Sequence, residues 1–571
     1  MKSRNDEVNG GGMFQKPLWW LTATIWLVAC SGGTEPGIRP CTGGTPVNLA
    51  VNQYLSLDAG ADSGCVVFPA TTSIVEYLVV PQLATGTPGQ MTSFHLGGDT
   101  IRPAAAAPAV GMVDAAVGSA ERFHAFLRMG DERRSWGFAP EAAPSPPVRA
   151  PVITSGPPAL NSLRTFMVCA KIDCSSFAKV GARVHALKAK VAIYVDTLAP
   201  AGGLDSTAID SIARVFDQRL YAVDTAAFGR ESDIDTNTVV LVLMTNVVNK
   251  LVTASECQNN GFVAGFFFGA DLDPAFRNDS RSNKGEIFYS VVADPQGTLS
   301  CSHTVNEIQA FLPVTFVHEF QHMISFNQHV LVRSGSGEVL WLNEGFSHYA
   351  EELGARSYET APDARITDCT IGTVNCRFYA GDLLNAYKYL DSTQNHFLLP
   401  TAGIGTLAER GAAWLFVRYV VDRYAAGATQ AQWNTLTRSL VQTSNTGAQN
   451  IAVVTGVPFA DVVTRWALTN WMSDDGGAPA ELRYDAWALH SVFSSLNSQR
   501  PTLFPHPYPL IPGVSVGRDV DLSNTLRAGS GIYLRATQAA SDPGFTLHLT
   551  TPSGALINPA YVPRVNVIRL Q

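Results

Sequence analysis

Two short stretches constrain this chain more than any others, LPVTFVHEFQHMISF at 312–326 and VLWLNEGFSHYAEEL at 339–353. In both, imidazoles and carboxylates stand inside runs too apolar to face water. The first has helical spacing, with Phe316, Val317, Phe320, Met323 and Ile324 surrounding His318 and His322. Residues at i and i+4 share one helical face about one turn apart, so both imidazoles can reach a single ion. Glu319 can face the open side of that ion without binding it. Zinc held by neutral nitrogens lowers the pKa of water, and an adjacent carboxylate can take the proton. Buried imidazoles without a partner are costly, so the apolar setting favours a metal centre over histidines that are merely packed or solvated.

A core able to bury such helices is available. The chain has 571 residues, of which 46% are hydrophobic and only 15% charged, against about 25% charged in an average soluble domain. At roughly 150 residues per domain, several domains are expected. The net charge of −8 is small for this length and the pI is near 5.8, which argues against extensive disorder and against a nucleic-acid footprint.

The start of the chain points to export. Lys16 precedes a mostly apolar stretch from Leu18 to Ala29, too short for a spanning helix but suited to a signal peptide. Leu27-Val28-Ala29-Cys30 resembles the lipobox of bacterial lipoproteins, which implies lipidation at Cys30 and a cell-envelope location, at the outer membrane or cell surface. An ordinary cleaved signal, giving a secreted protein, is the alternative. Acyl chains are then the only membrane anchor expected. Setting Cys30 aside leaves eight cysteines, which allow 105 pairings. Pairing nearest neighbours gives Cys41–Cys65, Cys169–Cys174, Cys257–Cys301 and Cys369–Cys376. No paired C-x-x-C knuckles occur, so structural disulfides are expected and not a zinc ribbon.

The expected organisation is multidomain α+β. Residues 1–29 read as the signal, 30–40 as a Gly/Pro tether and 41–102 as a small β-domain with alternating polarity. Residues 103–160 hold a helical stretch followed by a Pro-rich linker. Strands alternate with helices from 161, as in KAKVAIYVDT, VVLVLM, VAGFFFGADL and EIFYSVV, and helices dominate up to 480. Residues 481–511 read as a connector and 512–571 as a second β-module. Residues 41–160 are also compatible with a removable inhibitory pro-region. No cysteine lies near the Pro-rich linker to block a metal as a thiolate.

His318-Glu319-Phe320-Gln321-His322 followed by Trp341-Leu342-Asn343-Glu344-Gly345-Phe346-Ser347, then Tyr349-Ala350-Glu351-Glu352, resembles the gluzincin metallopeptidases, and within them the hyicolysin-like peptidases most. The resemblance covers about 161–480. It implies a zincin domain of thermolysin-like two-lobe form, flanked here by β-sandwich-like modules. It also implies Zn2+ held by His318, His322 and Glu344, with Glu319 as general base and a protein or peptide as substrate. The G-x-M-E-N motif of the aminopeptidase branch is missing upstream, which favours an endopeptidase. His348 stands where thermolysin-type relatives carry a carboxylate behind the metal ligands, so that role falls to Glu351 or Glu352 or goes unfilled. Tyr379, Tyr387 and Tyr389, with His348 and His396, are candidates for stabilising the oxyanion. Of these Tyr387 is the one chosen. A rival reading is a non-catalytic surface lipoprotein of zincin fold that binds protein or glycan through its β-modules.

Overall fold

The computed structural model describes residues 43–61, 64–98, 117–140, 156–401 and 405–571. The signal, the tether, Cys30 and Cys41 lie outside the described residues. The described chain is mixed α/β, with three sheets and a large helical region.

Ten strands build two five-stranded sheets that share one apolar core. The first sheet runs Thr45–Pro46, Cys65–Phe68, Phe545–Thr550, Met91–Gly97, Asp521–Arg527. The second runs Gly513–Val516, Leu534–Gln538, Val75–Leu83, Pro563–Arg569, Tyr54–Asp58. Strands from the two ends of the chain are therefore direct neighbours in both sheets. Val66, Phe68, Leu96 and Leu547 meet Val79, Val565 and Val567 between them. The two flanking modules expected from the sequence are thus one sandwich. Each terminal stretch has alternating polarity, but alternation fixes only which face of a strand is buried, not which strand lies beside it. The strand Val75–Leu83 also fastens the sandwich to the rest of the molecule. Val75, Tyr77 and Val79 point into the sandwich, whereas Leu78 and Val80 join the main core, as the period of two requires.

The main body starts with a six-stranded sheet. Its strands are β1 (Leu163–Cys169), β2 (Phe177–Leu187), β3 (Val191–Asp196), β4 (Val240–Met244), β5 (Gly265–Phe267) and β6 (Ile287–Ser290), in the spatial order β5-β6-β4-β3-β2-β1. The β3, β4 and β6 pairings are parallel and the other three are antiparallel. All five residues of β4 are buried, as expected for a strand covered on both faces. The short strand β5 forms one edge.

Five helices matter for the site: α1 (Ser119–Arg133), α2 (Val305–Phe326), α3 (Leu340–Arg356), α4 (Val374–Asp391) and α5 (Leu407–Tyr424). A capping box starts α2, where Thr304 and Glu307 each bind the other's backbone N–H. From Phe316 to Phe326 every side chain of α2 is buried, and α3 is buried from Trp341 to Arg356. A helix enclosed on all sides belongs to the interior of a large core. Small residues allow the close approach: a Cβ on Gly345 of α3 would lie 3.0 Å from the Ala413 carbonyl oxygen of α5.

Two further boundaries change. The α1 segment belongs to the main core through Phe123, Leu127 and Trp136, and the expected connector contributes Trp487, Val492, Phe493 and Leu496 to the same core. Three disulfides follow the nearest-neighbour pairing, Cys169–Cys174, Cys257–Cys301 and Cys369–Cys376. Cys65 is also disulfide-bonded. Among the described residues no single helix is long and apolar enough to cross a membrane.

Candidate active site

The buried halves of α2 and α3 bring His318, His322 and Glu344 together. The two Nε2 atoms lie 3.1 Å apart, and the Glu344 carboxylate oxygens stand 3.7 Å from His318 Nε2 and 3.8 Å from His322 Nε2. Bonds of about 2.0–2.1 Å at tetrahedral angles place donor atoms roughly 3.3 Å apart, so the separations suit one small cation.

The outer hydrogen bonds fix which atoms are free. His318 Nδ1 lies 2.7 Å from Glu351 Oε1, and His322 Nδ1 lies 2.7 Å from Asn343 Oδ1. Both partners are acceptors, so each imidazole carries its proton on Nδ1 and turns the Nε2 lone pair inward. Burial holds His322 well below the usual histidine range, which keeps it neutral. Neither carboxylate oxygen of Glu344 has a hydrogen-bond partner, although the residue is only 3% exposed. Burial opposes its charge, yet the Arg410 guanidinium is the strongest of the groups that oppose burial, and Glu344 is held well below the usual carboxylate range. Two nitrogen lone pairs and a bare carboxylate converging without a donor between them call for a cation.

Glu319 is 2% exposed and leans from α2 toward the sheet edge, where its Oε2 accepts the Phe267 N–H of β5 at 2.8 Å. Burial raises its pKa, with His318 and Arg128 opposing.

Glu351 and Glu352 part company. Glu351 sits between His318 and His348, whose Nδ1 is 3.2 Å from Glu351 and 2.8 Å from Asp382. Burial disfavours charge on His348, but Glu351 and Asp382 prevail and raise its pKa to about 10. The resulting imidazolium helps hold Glu351 ionised, at about 2, against its own burial. Glu352 is turned away from the three ligands: it accepts from Arg356, Arg418 and Trp414.

Tyr387 is not brought to the site. Its hydroxyl accepts the His506 N–H at 2.7 Å, and its ring packs against Phe493 and Phe504. Asp382 marks the face of α4 that meets α3, and position 387 lies roughly 140° around the helix from it. The Tyr389 hydroxyl is engaged by Ser530, and the Tyr379 ring lies against Trp487.

The structure adds residues that the sequence reading did not identify. Arg410 of α5 places Nε 3.7 Å from Glu344 Oε2. From α1, Arg128 acts on Glu319 and His322. Asn343 lies inside the N-E-G motif, so its position was a usable signal. Arg410 and Arg128 belong to no local pattern that points to the site.

A buried cluster of two imidazoles and a carboxylate on two packed helices beside a sheet edge defines a candidate metal site. No family model matches the chain. It is similar to the neutral metalloprotease ShpI of Staphylococcus hyicus, with 28% identity over 144 residues, 25% of this chain and 30% of that protein. The chain thus spans less than a third of that relative's length. The likeness supports a distant metallopeptidase relationship and, with it, a metal ion.

Proposed function

We propose that this chain is an exported, lipid-anchored zinc metalloendopeptidase, with the β-sheet and the helical region on either side of α2 and α3 as the two lobes of a zincin. One observation carries the reading: two imidazoles, each with its Nδ1 engaged on the far side, converge with a buried carboxylate that has no hydrogen-bond partner, at zinc-ligand spacing. Nitrogen and carboxylate donors in this number favour Zn2+ over the harder Ca2+ or Mg2+. His318, His322 and Glu344 would hold the zinc, which supplies Lewis acidity that makes water more acidic and polarises a carbonyl.

The residues divide the remaining work. Glu319 takes the proton of the attacking water and returns it to the leaving amine nitrogen. Its raised pKa suits both transfers. Glu351 and Asn343 orient the imidazoles. Arg410, not Tyr387, supplies the positive charge beside the developing oxyanion. The β5 edge lies directly beside Glu319, which suits a protein or peptide substrate laid along it. The absence of a G-x-M-E-N motif favours internal cleavage. Export rests on the N-terminal signal, and attachment on Cys30.

Replacing Glu319 with Gln tests the reading. Zinc content is expected to stay at one per chain, while cleavage of unfolded casein falls by about 10²–10⁴-fold. Undiminished cleavage would exclude Glu319 as the base. A wild-type chain that binds zinc but cleaves no peptide in any form would favour the non-catalytic binding reading.

A further inference from the structure

We infer that α1 is an internal inhibitor of this site, lying in the substrate cleft and leaving it before a peptide can reach His318, His322 and Glu344. The inference rests on the peptidase reading given above.

The position of α1 carries the argument. Its contacts are with the groups a substrate needs. Arg128 is 1% exposed and donates to the Phe267 carbonyl of β5 at 2.8 Å. That same residue gives its N–H to Glu319. Arg128 of α1 thus occupies the outward Phe267 carbonyl, which an extended peptide would need in order to pair there. Phe123 meets Phe266 edge-on at 4.9 Å between ring centres, which seats the helix along the strand.

Toward the metal ligands, Glu121 and Ala125 of α1 close a cavity whose opposite wall includes Trp341, Glu344 and Arg410. About 20 Å³ remains free there, so α1 narrows the approach to Glu344. Arg128 lies close enough to act electrostatically on Glu319. One helix thus covers the strand edge, the general base and the third ligand.

Side chains alone hold α1: Phe123, Leu127 and Trp136 in the core, Arg134 on Asp273 and Ser119 on Glu256. No cysteine occurs between residues 117 and 140, so no disulfide ties the helix down. The sequences on either side, AAAAPAVG and APSPPVRAP, are rich in Ala and Pro and lie outside the described residues. The strands at 45–97 pair with those at 513–569 in both sheets. Cutting on both sides of α1 would therefore leave the sandwich held by its own pairing. Removal of all of 41–160 as a pro-region would strip strands from both sheets, so the inhibitory part is α1 alone.

The test uses the full chain loaded with Co2+, with recognition sequences for a specific protease placed at 103–110 and 144–151. Acetohydroxamate binding is read from the visible absorption of cobalt, and turnover from a quenched peptide. Excising α1 and removing it by gel filtration should tighten hydroxamate binding at least tenfold and raise turnover at least tenfold. A synthetic peptide of residues 117–136 should reverse both. Equal hydroxamate affinity before and after excision would overturn the inference. Tighter hydroxamate binding without any hydrolysis would sustain it and defeat the peptidase reading instead. The uncut double variant Phe123→Ala, Arg128→Ala guards against damage caused by cutting. It should bind hydroxamate at least threefold more tightly than the uncut wild-type chain, and unchanged affinity would count against α1 as the cover.

Discussion

His318 and His322 can each offer a metal one nitrogen, and the hydrogen bond on the far side of each ring selects which. Glu351 performs that selection for His318 at 2.7 Å while pairing with His348. Glu351→Gln keeps the shape but removes the negative charge that strengthens the imidazole as a ligand. Outer partners of this kind are worth about 10–100-fold in metal affinity. Zinc affinity measured against a competing chelator should fall by that range with the fold intact, and an unchanged affinity would remove Glu351 from the site. The sequence reading left Glu351 and Glu352 as equals. Neighbouring residues on a helix point about 100° apart, and Arg356 and Arg418 draw Glu352 to a different side. Arg418 is distant in sequence, so nothing local separated the two carboxylates.

At the scale of elements, the site depends on how closely the helices behind it approach. Gly411 of α5 faces the backbone of α4: a Cβ there would lie 2.2 Å from the Ala386 nitrogen and 2.4 Å from the Asn385 oxygen. Those atoms belong to a helix and cannot rotate away as a side chain can. Gly411→Ala must therefore push α4 from α5, although alanine is the better helix former. Overpacking of this kind costs about 1–3 kcal/mol. A lowered melting temperature is expected, with reduced zinc affinity because Asp382 moves with α4 and His348 with it. A variant as stable as wild type would show that the helices are not so closely held. The helices themselves were legible from apolar spacing, including α2 around its two histidines. Which tyrosine of α4 faces the site was not, because that depends on the rotation of α4 against α3. Tyr387 fell on the wrong side for that reason.

Across the whole molecule, the two ends of the chain are structural partners. Deleting residues 512–571 would remove five strands, leave Val75–Leu83 and Met91–Gly97 without their principal neighbours, and expose the core at Val66, Phe68 and Val79. The truncated chain should be insoluble or melt at much lower temperature, whereas loss of an independent module would leave the remainder unchanged. Thermal unfolding of the truncation decides between these outcomes. What the sequence determined by itself was local in origin: the helix carrying His318 and His322, the Glu344 motif and the buried strands of the central sheet. Each arises from periodicity or spacing, and these act within a few turns of chain. Only the tertiary structure decided that the terminal β-stretches form one sandwich, that Arg410 stands beside Glu344, and that α1 lies over the ligands. Those pairings join residues tens to hundreds of positions apart, where the alternating or helical pattern that buries a face is satisfied equally well by many partners.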